Sequence, residues 1–243
     1  MKRLLFLQLV FLPVILFGQC DLLPTSTTTE IVKHSYYTLS YSKKDEQAEW
    51  VAYLLTRSML TGQSERGNNF RPDPSVISGS AQLYDYKNSG YDRGHLCPAG
   101  DMTFSEQAMS ETFYLSNMSP QVPAFNRGIW KSLETLVREW AAKEDSIYIV
   151  TGDILSNSLG SIGKDRVTVP SRFYKVIYDL TGEKKMIAFI LPNEKSIKPL
   201  SSYVVTVDFV ESQTGLDFFP CLPDSLENRL ESNSDISKWS FKY

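Results

Sequence analysis

Residues 91–101 read Tyr-Asp-Arg-Gly-His-Leu-Cys-Pro-Ala-Gly-Asp and contain one of only two histidines in the chain. Arg93 stands two residues before His95, so in an extended strand both side chains point to the same side. Gly94 between them permits a close backbone approach or an unusual φ. A neutral imidazole can take a proton from water near pH 7, and a guanidinium suits a phosphate oxygen. The stretch therefore predicts attack on a phosphodiester, although a structural histidine beside an Asp92–Arg93 salt bridge fits these residues equally well.

Outward from this stretch, the sequence resembles the DNA/RNA non-specific endonucleases, a family that includes secreted bacterial nucleases and endonuclease G. The Asp-Arg-Gly-His run at 92–95 resembles the signature of that family. Six further blocks are similar to family segments and follow in the family's order, which makes the resemblance far more specific than one short motif. The resemblance covers roughly 36–232, and its later blocks lie at 113–121, 125–130, 148–152, 169–175, 188–193 and 215–220.

The resemblance implies an α+β fold of the ββα-metal (His-Me finger) type, with a central, mainly antiparallel sheet flanked by helices. In this fold a hairpin strand presents the histidine, and the following helix brings a metal ligand. The sequence pattern also favours α+β, because strands and helices mix without regular alternation. It predicts strands at 36–41, 50–56, 146–151, 173–178 and 185–191, and helices at 105–114, after 126, and from about 200 to a stop at Gly215.

The family also implies a chemistry and its principal residues. His95 resembles the general base that activates water, and Asn126 resembles the single direct protein ligand of Mg²⁺, with Mn²⁺ as a substitute. Mg²⁺ prefers oxygen ligands and keeps several waters, so one amide oxygen is adequate. The implied activity is endonucleolytic hydrolysis of DNA and RNA that leaves a 5′-phosphate and a 3′-hydroxyl. Asn126 also fits a turn or N-cap residue.

Four more residues match family positions, each beside an ordinary structural interpretation. Arg93 corresponds to the motif arginine that orients phosphate, and Asn117 to an asparagine near the site. Arg66 resembles a phosphate-contacting arginine, and Glu134 a glutamate that holds metal-bound water. Eight residues along one helix amount to about 12 Å and about 80°, so Asn126 and Glu134 can share an ion only if Asn126 precedes the regular helix or waters bridge them. A solvent-face pair of Glu134 with Arg138 is the alternative.

Charge and composition narrow the function classes. The chain has 243 residues, 42% of them hydrophobic, and a formal net charge of −3, so it can bury a sizeable core and carries no strongly basic coat. From Asp208 onward there are seven acidic and three basic residues, which leaves the middle of the chain close to neutral. Nucleic acid should therefore bind through local cations, weakly and with strong salt dependence. The second histidine, His34, is interpreted as a surface residue.

The N-terminus reads as an export signal. Lys2 and Arg3 precede an apolar run at 4–17, which is too short for the roughly 20 residues of a spanning helix. Cleavage after Gln19 gives either a secreted or periplasmic protein or, with an acylated Cys20, one anchored at the cell envelope. The domain assignment is then a signal peptide at 1–19, a polar linker at 20–35, the nuclease domain at 36–232 and a C-terminal tail at 233–243. Homodimers occur in the family, and the sequence leaves the oligomeric state of this chain open.

The three cysteines, Cys20, Cys97 and Cys221, leave the disulfide pairing open. A lipidated Cys20 leaves Cys97–Cys221 as the sole intramolecular pair, and otherwise all three pairings are available. Cys97 stands two residues after His95, so a thiol hydrolase is one competing hypothesis, and a weak zinc site is another. A third is a catalytically inactive relative that binds nucleic acid or protein. Since an unperturbed histidine titrates near ~6.5, the nuclease hypothesis predicts a neutral to alkaline pH optimum.

Overall fold

A seven-stranded antiparallel sheet forms the centre of the computed structural model, which describes residues 21–241. Two further strand pairs lie outside this sheet. The strands are β1 (Glu30–Lys33), β2 (Thr38–Ser42), β3 (Gln47–Thr56), β4 (Asp92–His95), β5 (Met118–Gln121), β6 (Ser146–Ile154), β7 (Ser161–Ile162), β8 (Val167–Thr168), β9 (Arg172–Asp179), β10 (Lys185–Pro192) and β11 (Val204–Val205). The large sheet runs in the order β1-β2-β3-β6-β9-β10-β11, and β4 pairs with β5 and β7 with β8.

Helices cover both faces of the sheet. They are α1 (Leu83–Tyr86), α2 (Glu106–Glu111), α3 (Pro123–Phe125), α4 (Lys131–Glu144), α5 (Val207–Thr214) and α6 (Asp224–Glu231). The alternation of β3 shows the two layers, because Val51 and Tyr53 pack on the side of α4 whereas Trp50 and Ala52 pack on the side of α5 and α6. The sheet is therefore buried on both faces, and the two helical layers are separated by it.

Several sequence predictions are confirmed. Ser105 caps α2 by accepting a hydrogen bond from the Ala108 amide at 3.3 Å. The apolar stripe of α4 is buried as its spacing indicates, and β9 and β10 form the predicted antiparallel pair. Gly215 ends α5 in the left-handed region with φ 74°, a conformation that glycine adopts without steric cost.

Other predictions need correction. The helix predicted from about residue 200 begins only at Val207, because Val204 and Val205 pair with β10 instead. Its cap is Thr206, whose side chain accepts from the Phe209 amide at 3.1 Å. The surface interpretation of His34 is wrong, since its side chain is 4% exposed and its Nε2 lies 2.9 Å from Oδ2 of Asp73.

The segments assigned as linker and tail are both packed against the domain. Within the predicted linker, β1 joins the sheet, and the Thr25 amide donates to the Asp217 carbonyl at 2.9 Å. In the predicted tail, Trp239 is buried with its ring centroid 4.7 Å from that of Trp140. The folded unit therefore extends past the boundaries at 36 and 232. The predicted signal at 1–19, together with Cys20, lies outside the described residues. Between residues 21 and 241 no helix is long and apolar enough to cross a bilayer.

Candidate active site

The histidine lies at the end of a short hairpin. In the antiparallel pairing of β4 with β5, His95 stands opposite Met118 and Gly94 opposite Ser119. A Cβ atom at Gly94 would come within 2.1 Å of the Gln121 side chain. The glycine in the motif is therefore required for close packing across the hairpin, which is one of the two explanations that the sequence offered.

Asn117 holds the backbone immediately after His95. Its Oδ1 accepts from the Cys97 amide at 2.8 Å, and its Nδ2 donates to the carbonyls of Cys97 at 3.0 Å and Thr112 at 2.9 Å. The side chain is fully buried and does not line the cleft described below. Its place in the structure is that of a positioning residue that fixes the turn following the histidine.

A break in the helical path brings Asn126 and Glu134 together. Asn126 lies between α3 and the start of α4, and Gly128 interrupts the helical path with φ −106° and ψ −113°. Glu134 lies in the first turn of α4. Asn126 therefore precedes the regular helix, and both side chains line the same cleft. The geometric condition for these two residues to share one hydrated ion is met.

This cleft, of about 550 Å³, gathers five of the six residues that the sequence proposed for the site. Five cationic side chains line it together with one carboxylate, so it is positive even though the chain is acidic overall. The lining residues are Arg66, Arg93, His95, Pro98, Ala99, Gly100, Asn126, Arg127, Lys131, Glu134 and Arg138.

His95 is held in an apolar and cationic environment. Its ring contacts the edge of Phe113, with centroids 5.1 Å apart, and lies 5.8 Å from Phe70. Burial, together with the positive charges of Arg66 and Arg93, lowers the pKa of His95 to about 3. Its Nε2 is buried without a hydrogen-bond partner. The imidazole is therefore neutral across the physiological range and able to accept a proton.

Asp92 forms its hydrogen bonds with Asn126 and Arg127 and not with Arg93. Its Oδ2 accepts from Asn126 Nδ2 at 2.9 Å, and Arg127 donates to both carboxylate oxygens at 2.8 and 2.6 Å. Burial acts to raise the pKa of Asp92, but the hydrogen bonds from Arg127 and Asn126 outweigh it and lower that pKa. The Arg93 guanidinium lies over the Phe70 ring at 3.9 Å, so the predicted alternative of an Asp92–Arg93 salt bridge does not form.

Glu134 borders a buried charge network beneath the cleft. Arg138 donates to Asp101 at 2.9 Å, so it does not form the predicted alternative pair with Glu134. Burial raises the pKa of Glu134 to about 7, with Asp101 adding to the rise and Lys175 and Arg138 opposing it. Glu134 is thus a carboxyl group that ionises near neutrality and faces the same cleft as Asn126.

The cysteines take structural roles. Cys97 is a free thiol with no exposed surface, and burial raises the pKa of this thiol well above its usual range. Cys221 is disulfide-bonded, so the Cys97–Cys221 pairing is wrong. A thiolate nucleophile and a zinc site built from His95, Cys97 and Cys221 are excluded for the same reasons.

Sequence reasoning gave no functional role to four cations at the site. Arg127, Lys131 and Arg138 line the cleft, and Lys175 is buried close to Glu134. Lys131 and Arg138 lie three residues before and four residues after Glu134, so they share its helix face, which is a signal that spacing could have supplied. Lys175 follows the same alternation as Phe173 and Ile177 on β9, and its Nζ lies 5.1 Å from the Trp130 ring centroid. A lysine at an inward position of an apolar strand is itself unusual and marks a buried charged site.

Together, the hairpin, the kinked helix and the basic cleft define a ββα-metal nuclease fold. The model of the family described as DNA/RNA non-specific endonuclease matches residues 22–225. The chain therefore belongs to that family, whose members are divalent-metal-dependent endonucleases, and it is an endonuclease by class. Both the family and the α+β fold predicted from the sequence are confirmed.

Particular relatives agree with this assignment. Nuclease C1 of Cunninghamella echinulata var. echinulata is 39% identical over 79% of this chain and 84% of its own length. A nuclease of Nostoc sp. (strain PCC 7120 / SAG 25.82 / UTEX 2576) is 35% identical over 87% of this chain and 82% of its own. A chain in the crystal structure of the EndoG/EndoGI complex, which concerns EndoG inhibition, superposes with a TM-score of 0.74 at 33% identity. That superposition covers 80% of this chain and 87% of the other.

Proposed function

We propose that this chain hydrolyses DNA and RNA at the basic cleft, with His95 as the general base and Mg²⁺ bound by Asn126. The observation that carries the proposal is the convergence of His95, Asn126 and Glu134 with Arg66 and Arg93 on one cleft. These groups supply a proton acceptor, oxygen ligands for a hard cation and positive charge for phosphate. The inactive-binder hypothesis is disfavoured because each of these groups is present and lines the same cleft.

The side chains present fit a hydrated Mg²⁺ ion. Nδ2 of Asn126 is committed to Asp92, which leaves Oδ1 as the atom that can bind a cation. Glu134 would hold water of that ion, because a carboxylate is a strong acceptor for metal-bound water. Both are hard oxygen donors, the type that Mg²⁺ and Mn²⁺ accept. The bound ion would neutralise charge on the phosphate and on the leaving oxygen.

The remaining steps belong to the side chains of the cleft. Arg66 and Arg93 bind the phosphate and place it beside His95. The neutral imidazole accepts a proton from the attacking water as the water oxygen bonds to phosphorus. The bond between phosphorus and the 3′-oxygen then breaks, and that oxygen takes a proton from water. The products are a 3′-hydroxyl and a 5′-phosphate. Phe70 and Phe113 hold the arginines and the histidine in a common arrangement and restrict water around the ring.

The proposal includes export from the cytoplasm. The sequence of residues 1–19 supports it, and the disulfide at Cys221 agrees with an oxidising compartment. Membrane attachment through a lipidated Cys20 stays a prediction from the sequence, and it requires that the Cys20 thiol take no part in a disulfide. The sequence leaves the oligomeric state open.

One assay tests the activity and its base together. The purified protein is incubated with supercoiled plasmid and with RNA, in Mg²⁺ and in EDTA, alongside His95→Ala. We expect both substrates to be degraded only with metal, and the variant to lose activity while keeping the wild-type circular dichroism spectrum. Absence of cleavage by folded, metal-supplied wild type would refute the proposal, as would full activity in His95→Ala.

A further inference from the structure

Three carboxylates meet on the face of the sheet opposite the nuclease cleft. Asp208 and Glu211 lie one turn apart on α5, and Glu231 is the last residue of α6. One oxygen of each lies within 4.8 Å of the corresponding oxygens of the other two. The apolar sides of α5 and α6 pack on the sheet through Val207, Val210 and Leu230, so the cluster lies at the junction of the two helices.

Glu231 is buried without a hydrogen-bond partner for one of its oxygens. The residue is 5% exposed, and its Oε1 has no partner in the structure. A buried carboxylate that lacks partners carries a large desolvation penalty. Its place at the C-terminal end of α6 adds to this, because the negative end of the helix dipole also repels it. A positively charged partner would therefore stabilise the ionised side chain of Glu231.

Protein cations do not supply that partner. Among residues 21–241 no salt bridge involves Asp208, Glu211 or Glu231, and Asp217 and Glu227 place further negative charge nearby. Glu227 also has a buried, unpartnered Oε1. Arg229 lies on α6 as well, but it lines a separate groove together with Lys184, Lys185 and Lys238. The Phe218 amide donates to Oε1 of Glu211 at 2.8 Å, but no cation of the described residues offsets the mutual repulsion of these acids.

We propose that Asp208, Glu211 and Glu231 form a Ca²⁺ site that joins α5 to α6. Ca²⁺ takes six to eight oxygen ligands at 2.3–2.6 Å in flexible geometry, which suits three carboxylates separated by up to 4.8 Å together with water. Mg²⁺ demands a smaller, near-octahedral shell and gives up its waters reluctantly. The ion neutralises the cluster and fixes the C-terminal helix to the sheet. Its role is structural and distinct from the catalytic ion at Asn126.

Thermal unfolding of the purified protein tests the site. We expect millimolar Ca²⁺ to raise the melting temperature by several degrees relative to EDTA, and Mg²⁺ at the same concentration to raise it less. Glu231→Gln and Asp208→Asn should each lose most of the Ca²⁺ response. The matched control is Glu194→Gln, which removes the charge of an exposed glutamate after β10 and should respond as wild type does.

Calorimetry separates this site from the nuclease cleft. Asn126→Ala should still bind one Ca²⁺ ion with the wild-type rise in melting temperature, whereas Asn126→Ala combined with Glu231→Gln should not. A wild-type protein with no Ca²⁺-dependent shift would overturn the proposal. An unchanged shift in Glu231→Gln, or its disappearance in Asn126→Ala alone, would do so as well. None of these outcomes depends on nuclease activity.

Discussion

Asn126 and Asp92 are joined by a hydrogen bond of 2.9 Å, from Nδ2 of the amide to Oδ2 of the carboxylate. The contact links the segment that precedes α4 to the first residue of the hairpin strand that carries His95. It fixes the rotation of the amide and leaves Oδ1 of Asn126 available for the proposed metal ion. Under the proposed function, the aspartate of the Asp-Arg-Gly-His run is therefore a positioning residue for Asn126.

The first prediction concerns this contact. Asp92→Ala should weaken Mg²⁺ affinity and lower activity at limiting Mg²⁺ by about 10–100-fold, because partners that orient a metal ligand typically contribute that much. High Mg²⁺ should restore most of the rate. The measurement is activity as a function of Mg²⁺ concentration.

Arg127→Ala is the control for the Asp92 variant. It removes the mainly exposed guanidinium from the same carboxylate but retains the bond to Asn126, so its Mg²⁺ dependence should stay close to that of wild type. Equal Mg²⁺ dependence in wild type and Asp92→Ala would show that Asp92 does not position Asn126 for the metal.

The second prediction concerns the protonation of His95. Its pKa is held near 3 by burial and by two arginines, whereas an unfolded histidine titrates near 6.5. Neutral His95 therefore contributes stability above pH 6.5, and this contribution is lost as the pH falls from 6.5 towards 3. His95→Ala should lower activity by about 10²–10⁴-fold. Its free energy of unfolding should also fall less than that of wild type as the pH is lowered. Urea unfolding at pH 7 and pH 5 measures the second effect, and parallel acid dependence in both proteins would contradict it.

The third prediction assigns the alkaline preference to Glu134. Because the pKa of His95 is about 3, its titration cannot limit the rate near pH 6.5. The titration of an unperturbed histidine therefore does not explain a neutral to alkaline optimum. Glu134, with a pKa of about 7, is largely protonated at pH 6 and must lose its proton to hold metal-bound water. Mg²⁺ affinity should therefore rise up to about tenfold per pH unit below 7 and level off above it. Glu134→Gln should bind weakly with no such slope, and a pH-independent wild-type affinity would exclude this role.

The sequence predicted the site better than it predicted the charges beneath it. Motif order identified His95, Arg93, Asn126, Glu134 and Arg66, which the structure brings to one cleft. The kink at Gly128 was not predictable from periodicity, since the apolar stripe from Trp130 onward fits a plain helix. The buried network of Lys175, Asp101 and Arg138 joins distant parts of the chain, so only the tertiary fold reveals it.

The missed and misplaced helices have local causes. Helix α6 is short and largely polar, and its stability comes from packing Leu226 and Leu230, one turn apart, on the sheet. The helix predicted from residue 200 was shortened because Val204 and Val205 are β-branched and find a strand partner in β10. In both places tertiary contacts decided between conformations that local propensity left nearly equal.

The fourth prediction concerns Cys97. Its buried thiol, with a pKa well above the usual range, should react slowly with alkylating reagents in the folded protein. Treatment with iodoacetamide should leave nuclease activity unchanged. Cys97→Ser should retain the activity but cost about 1–3 kcal/mol of stability, because a hydroxyl replaces a thiol in a dry site. Rapid inactivation of the wild type by the reagent, together with no inactivation of Cys97→Ser, would show that the Cys97 thiol belongs to the active site.

The fifth prediction follows from the acidic cluster in metal-free protein. Burial, together with Glu211, Glu227, Asp208 and Asp217, raises the pKa of Glu231 to about 8 from an ordinary value of 4.5. The raised pKa means that stability is fully present below pH 4.5 and is lost as the pH rises through 8. In EDTA, Glu231→Gln should therefore be more stable than wild type at pH 8.5, by roughly 1–2 kcal/mol after allowance for solvent screening.

The sign of this difference should depend on both pH and Ca²⁺. Well below pH 4.5 in EDTA the two proteins should unfold at the same denaturant concentration, because Glu231 is then protonated in both the folded and unfolded states. At pH 8.5 in millimolar Ca²⁺ the order should reverse, since the wild type gains a bound ion and the variant does not. A variant that is less stable than wild type in EDTA at pH 8.5 would show that the Glu231 carboxylate already has a favourable partner within the protein.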